Sequence, residues 1–85
     1  MSIPESVFSQ LSSELPVVVA RSEAPRLLGG LVSAGTLANE DAAGTGPRGM
    51  FYVGRRAAYP REGLVEWLRS RATATKKARV QGKAA

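Results

Sequence analysis

The sequence predicts a small α+β domain, with helices packed around a short N-terminal strand and one two-stranded hairpin. Three observations predict it. A chain of 85 residues supports one modest hydrophobic core and not two. Glycine and proline punctuate it at Pro16, Gly29, Gly30, Gly44, Gly46, Pro47, Gly49, Gly54 and Pro60. Between those marks, apolar residues at helical spacing alternate with short β-branched or aromatic runs.

"IPESVFSQLSSEL" reads as a short helix, with Pro4 early and Val7, Phe8 and Leu11 on one side. Pro16 stops it, and Val17 to Ala20 form a short buried strand. Ser22 is an expected N-cap, followed by Glu23 in the first turn and by Leu27 and Leu28 on the buried face. Gly29 and Gly30 end that helix. Ser33 is a second N-cap, opening "SAGTLANEDAAG", and Gly44 closes it. Helix, glycine-containing turn and helix make the helix-turn-helix pattern. "GTGPRG" is a loop by composition.

"FYVGRRAAYP" follows as a hairpin. Phe51 and Val53 alternate on one strand, Ala57 and Tyr59 on the next. A three-residue loop, Gly54-Arg55-Arg56, would put these four side chains on one face. A two-residue loop, Gly54-Arg55, would pair Val53 with Arg56 and bring Arg56 towards the core. Side-chain parity therefore favours the longer loop, with both arginines at the exposed tip. Pro60 is placed to open a final helix, whose Leu64, Val65, Trp67 and Leu68 form a buried stripe. Arg61, Glu62, Glu66 and Arg69 face water, and Trp67 is read as core.

After Arg71 the chain runs "ATATKKARVQGKAA", too poor in large apolar residues to offset its ordering entropy. The expected division is therefore an N-terminal helical extension (1–15), a domain (16–71) and a disordered basic tail (72–85). In order, the domain has strand, helix, turn, helix, basic-tipped hairpin and closing helix. That is the order of a small winged helix-turn-helix, with a short N-terminal strand, a two-stranded wing and a closing helix.

The net charge is +5, unevenly placed. Residues 1–45 hold Arg21 and Arg26 against Glu5, Glu14, Glu23, Glu40 and Asp41, a net of −3. Residues 46–85 hold the other ten basic residues against Glu62 and Glu66, a net of +8. The asymmetry points to a polyanionic partner, with nucleic acid first and an anionic membrane surface second; solubility charge alone is the plain alternative. It also permits head-to-tail attraction between copies. Catalysis is not expected. There is no histidine or cysteine, no Gly-x-Ser-x-Gly elbow and no P-loop, and so neither a metal site nor a cofactor is anticipated. Glu62 and Glu66 read as a solvated helix face. The first residues lack a basic stretch followed by a long apolar run, so no leader and no membrane span are expected. The expected compartment is the cytoplasm.

In a winged helix-turn-helix one helix lies in the major groove while the wing reaches the backbone or the neighbouring minor groove. Arginine suits the wing, because guanidinium is weakly hydrated and a narrow minor groove has an enhanced negative potential. "VGRRAAYPREGLVEWL" resembles the I-G-R-R-x-x-x-P-x-x-x-L-x-x-[WF]-L signature of MerR-like excisionases, the recombination directionality factors of phages and integrative elements, with the related AlpA-type regulators. The similarity runs back through "RSEAPRLLGGLVSAGTLANE", covering roughly residues 17–71.

The resemblance implies an architectural DNA-binding protein. Such a protein binds repeated sites cooperatively beside an integrase of the tyrosine-recombinase type, bends the DNA and favours excision of a mobile element. The family's wing falls on Gly54, Arg55 and Arg56, and its Ser-x-x-Thr-Leu on Ser33, Thr36 and Leu37. Ser33 and Thr36 are then expected at phosphate or base edges, and Leu37 in the core.

The recognition helix departs from the family pattern. Ala34, Gly35, Ala38 and Asn39 stand where large polar or basic residues are common, and Glu40 and Asp41 would repel phosphate if they faced it. "LLGGLVS" is also longer than the usual turn by about two residues. Direct base readout is expected to be thin. Asn39 is its best candidate, through an amide paired with adenine, or else an ordinary exposed helix residue. The wing then carries more of the recognition. Arg48 is expected to join its patch. Lys76 and Lys77 supply non-specific phosphate attraction, an integrase contact or solubility. Two other functions fit the same pattern: a transcriptional regulator of mobile-element genes, and a non-enzymatic packaging or integrase-adaptor module.

Overall fold

The computed structural model describes residues 5–72. The tail with Lys76 and Lys77 lies outside the described residues. In chain order the elements are α1 (Glu5–Glu14), β1 (Val18–Ala20), α2 (Ala24–Leu27), α3 (Ala34–Ala43), β2 (Phe51–Val53), β3 (Arg56–Pro60) and α4 (Arg61–Arg71). Four helices and one three-stranded antiparallel sheet, in the order β1-β3-β2, form an α+β domain. No helix among the described residues is long and apolar enough to cross a membrane.

β3 is the central strand, and its neighbours explain its composition. Val19 pairs with Tyr59 and Ala20 with Ala58, while Phe51 pairs with Ala58 and Tyr52 with Ala57. Flanked by a strand on each side, small side chains on β3 are shielded even on the sheet face where Phe51 and Val18 stay exposed, so β3 loses the alternation of a half-buried strand. Ala57, Ala58 and Tyr59 are accordingly all buried in succession. The fully enclosed side chains are Tyr59, Leu37, Leu64 and Val19, one each from β3, α3, α4 and β1. Burying each aliphatic member of this set is worth about 1.5–3 kcal/mol. Phe8 and Leu15 join the same core, so α1 packs on its own domain, against α4. Arg69 lies over the Phe8 ring at 5.1 Å and pairs with Glu5, covering that seam.

Helix ends follow local rules in most places. The Ser33 hydroxyl accepts from the Thr36 backbone N–H at 3.0 Å, capping α3. Gly44, at φ 79°, ends it, with Thr45 N–H donating to the Glu40 carbonyl and Gly44 N–H to that of Asp41. This pair of bonds is the Schellman arrangement. Two expected caps differ. α2 starts from Glu23 rather than Ser22, without a side-chain cap bond. Pro60 is the residue before α4, in extended backbone, because it is still paired with Val18 in the sheet.

The loop between α3 and β2 is held close to α4. A Cβ on Gly63 would lie 2.1 Å from the Arg48 carbonyl oxygen, so only glycine lets helix and loop approach this far. Trp67, buried as expected, donates from its indole Nε1 to the Thr45 carbonyl at 2.9 Å and fixes the same loop.

Candidate nucleic-acid interface

The hairpin is tighter than side-chain parity suggests. Val53 pairs with Arg56, so the loop is the two residues Gly54 and Arg55. Gly54 has φ 63° and Arg55 is not left-handed, the pattern of a type II′ turn, which matches the twist of the flanking strands. The expectation of a three-residue loop with Phe51, Val53, Ala57 and Tyr59 on one buried face is therefore corrected. It assumed that β2's apolar residues must be inside. They are not: β2 is an edge strand, with Phe51, Tyr52 and Val53 all exposed. With no burial to satisfy on β2, the turn geometry sets the register. Arg56 shares a sheet face with Phe51 and Ala58, yet it remains exposed at the strand's end, beside Arg55 in the turn.

A groove runs from this turn to the first residue of α3, lined by Arg21, Ser22, Ala34, Arg55, Arg56 and Ala57. Behind it lies a polar triad. Arg21 Nε donates to Tyr59 Oη at 2.9 Å, Arg21 Nη2 to Asp41 Oδ2 at 2.6 Å, and Tyr59 Oη to the same Asp41 oxygen at 2.7 Å. β1, β3 and α3 are thereby tied by three side chains. Burial of the phenol pushes Tyr59 up to about 12. The Arg21 hydrogen bond works against this shift, and the bond to Asp41 adds to it. Arg21 is held above the ordinary arginine value, first by Tyr59 and then by Asp41, while burial opposes both.

The two acidic residues of α3 do not face outward as free charges. Asp41 is turned to Arg21 and Tyr59, and Glu40 accepts from Arg71 and, at 2.7 Å, from Thr45. The outward face of α3 instead presents Gly35, Thr36, Asn39, Ala42 and Ala43, all exposed. Thr36 and Asn39 stand one turn apart on it, and Leu37 is wholly buried on the other side. Ser33 both caps the helix and donates to Thr36 Oγ1 at 2.9 Å, which leaves the Thr36 hydroxyl proton available.

The arginines divide cleanly. Eight fall among the described residues, and six have a carboxylate oxygen within 4.0 Å: Arg21, Arg26, Arg48, Arg61, Arg69 and Arg71. Only Arg55 and Arg56 do not. Of the residues singled out from sequence, Ser33 caps α3 and Thr36 and Asn39 lie on it, while Arg55 in the turn and Arg56 at the start of β3 line one groove with Ala34, the first residue of α3. Arg48 lies elsewhere, paired with Glu66 of α4 and lining clefts that hold none of the others. Arg21 and Ser22 were not anticipated. Their signal was slight: a lone arginine directly after the β1 run, whose partners Asp41 and Tyr59 are distant in sequence. No family model matches the chain, and neither a curated protein nor a solved structure matches it.

Proposed function

We propose that the protein binds duplex DNA as a small winged helix-turn-helix, with α3 along the major groove and the β2–β3 hairpin as the wing. The observation that carries this reading is the pair Arg55 and Arg56, the two arginines among the described residues without a carboxylate partner, held at a tight turn beside α3. Charge that is not neutralised within the fold is available to phosphate. α3, ten residues and about 15 Å long, fits a groove that admits a helix. Its small outward side chains let the backbone approach base edges closely, with Asn39 at the centre of the face.

Within that reading the protein acts as an excisionase. Several copies bind side by side, acidic front to basic back, bend the DNA and direct a tyrosine-recombinase integrase towards excision. The support is the wing-and-helix sequence "VGRRAAYPREGLVEWL" together with the charge asymmetry. Regulation of mobile-element genes uses the same DNA contacts, and an excision reaction reconstituted with the integrase separates the two.

The first test is titration against duplex DNA at several salt concentrations. Arg55→Ala/Arg56→Ala should flatten the slope of log affinity on log salt by about 1.8, the share of two phosphate contacts. Absence of binding by the unaltered protein at low salt would refute the proposal.

A further inference from the structure

The structure assigns to the groove between the hairpin turn and α3 a further role: a seat for one phosphate group, with Arg21 as its fixed donor and Arg55 and Arg56 closing over it. The inference rests on the DNA-binding reading for the source of that phosphate, a phosphodiester of the duplex backbone. Arg21 carries the argument. A guanidinium has five N–H donors. Nε–H is taken by Tyr59 and one Nη2 hydrogen by Asp41. The two on Nη1 and the second on Nη2 have no partner among the described residues, and the side chain, 22% exposed, lines the groove.

Tyr59 is wholly buried and the Asp41 side chain is 8% exposed, so the guanidinium is held from behind by groups that cannot swing away. Its open donors belong to a planar guanidinium held by two bonds, and such a fork suits paired phosphate oxygens. Arg55, Arg56 and Ser22 line the same groove. Three arginines against one inward carboxylate leave the groove positively charged. Because Asp41 belongs to α3, a phosphate bound at Arg21 also fixes the angle at which α3 meets the duplex.

The test has two arms. In the first, inorganic phosphate is titrated while Arg Nε–H resonances are followed by NMR. The Arg21 signal, hydrogen-bonded to Tyr59, should shift saturably at millimolar phosphate, and Arg55→Ala/Arg56→Ala should weaken that response several-fold. A flat Arg21 signal, or an unsaturable drift shared by every arginine, overturns the seat. In the second arm, Arg21→Gln should weaken duplex binding about tenfold and flatten the salt slope by about 0.9.

Asp41→Asn removes the ion pair but keeps the guanidinium, and should leave that slope intact. An equal slope change in Asp41→Asn shows a merely structural role and overturns the proposal. A saturable phosphate response without duplex binding keeps the seat and refutes the DNA reading. Loss of the phosphate response refutes the seat whatever the duplex does.

Discussion

Removing one oxygen, in Tyr59→Phe, tests the polar triad directly. Tyr59 Oη accepts from Arg21 and donates to Asp41, and the ring is wholly buried. Phenylalanine fills the same space, so cavity formation does not enter. What is lost is one donor to a carboxylate and one acceptor for a guanidinium, both partly shielded from water, at a cost of about 1–3 kcal/mol. For a domain of this size that lowers the melting temperature by about 4–8 °C per kcal/mol.

The same hydroxyl gives a pH signature. A phenol whose folded value rises from 10.0 to about 12 keeps its proton longer in the fold than in the unfolded chain. The unfolded state therefore binds fewer protons above pH 10, and stability falls as pH rises. The contribution is fully present below about pH 10 and lost towards pH 12, on the order of 2–3 kcal/mol at 1.36 kcal/mol per unit. Urea denaturation at pH 8 and at steps from pH 9.5 to 11.5 reads both effects. Tyr59→Phe should be less stable at pH 8 and nearly flat across the alkaline range where the unaltered protein declines. Equal stability at pH 8, or an unchanged alkaline decline in the variant, would refute the reasoning.

Gly63→Ala places a methyl group 2.1 Å from the Arg48 carbonyl oxygen and should cost at least about 2 kcal/mol in thermal melts, because backbone must move. Gly35→Ala is its control: the nearest atom to the new methyl is the Ser33 Oγ at 3.9 Å, and the variant should gain about 0.5–1 kcal/mol from helix propensity. Ser33→Ala should lose about 1 kcal/mol with the cap, measured by denaturant midpoint, leaving the α3 face otherwise intact. Gly54→Ala puts a side chain at φ 63° and should cost about 1 kcal/mol, while weakening duplex binding only as far as it loosens the turn.

Most elements were legible because they are specified locally. Ser33, Gly44, the Gly29-Gly30 pair and the Leu64-to-Leu68 stripe each announce themselves within one helical turn. The hairpin was legible in its existence and misread in its register. Phe51 and Val53 look like core residues, and only the sheet order reveals that their strand is an unshielded edge. Ala57-Ala58-Tyr59 carried no alternation, because β3 is the central strand and its small Ala58 is shielded by the strands on either side.

The candidate site divides in the same way. Arg55 and Arg56 stood out by adjacency, and Thr36 and Asn39 by helical position. Arg21 did not, since its role depends on Asp41 and Tyr59, 20 and 38 residues further on. Arg48 was misjudged for the same reason, its partner Glu66 lying 18 residues away across a turn of the fold.

The two-residue turn also makes the hairpin a ruler with discrete marks. With the two-residue turn kept, one residue inserted beside it would slip β3 against β2 and exchange its faces, turning Arg56 inward and Tyr59 outward. Inserting one residue into each strand at a paired position would preserve the turn but rotate both arginines through half a revolution. Only a pair of residues added to each strand restores their direction, moving them outward by about 7 Å. The distance between this charged tip and α3 can therefore change only in steps of that size, which is close to the spacing between successive phosphates along one DNA strand.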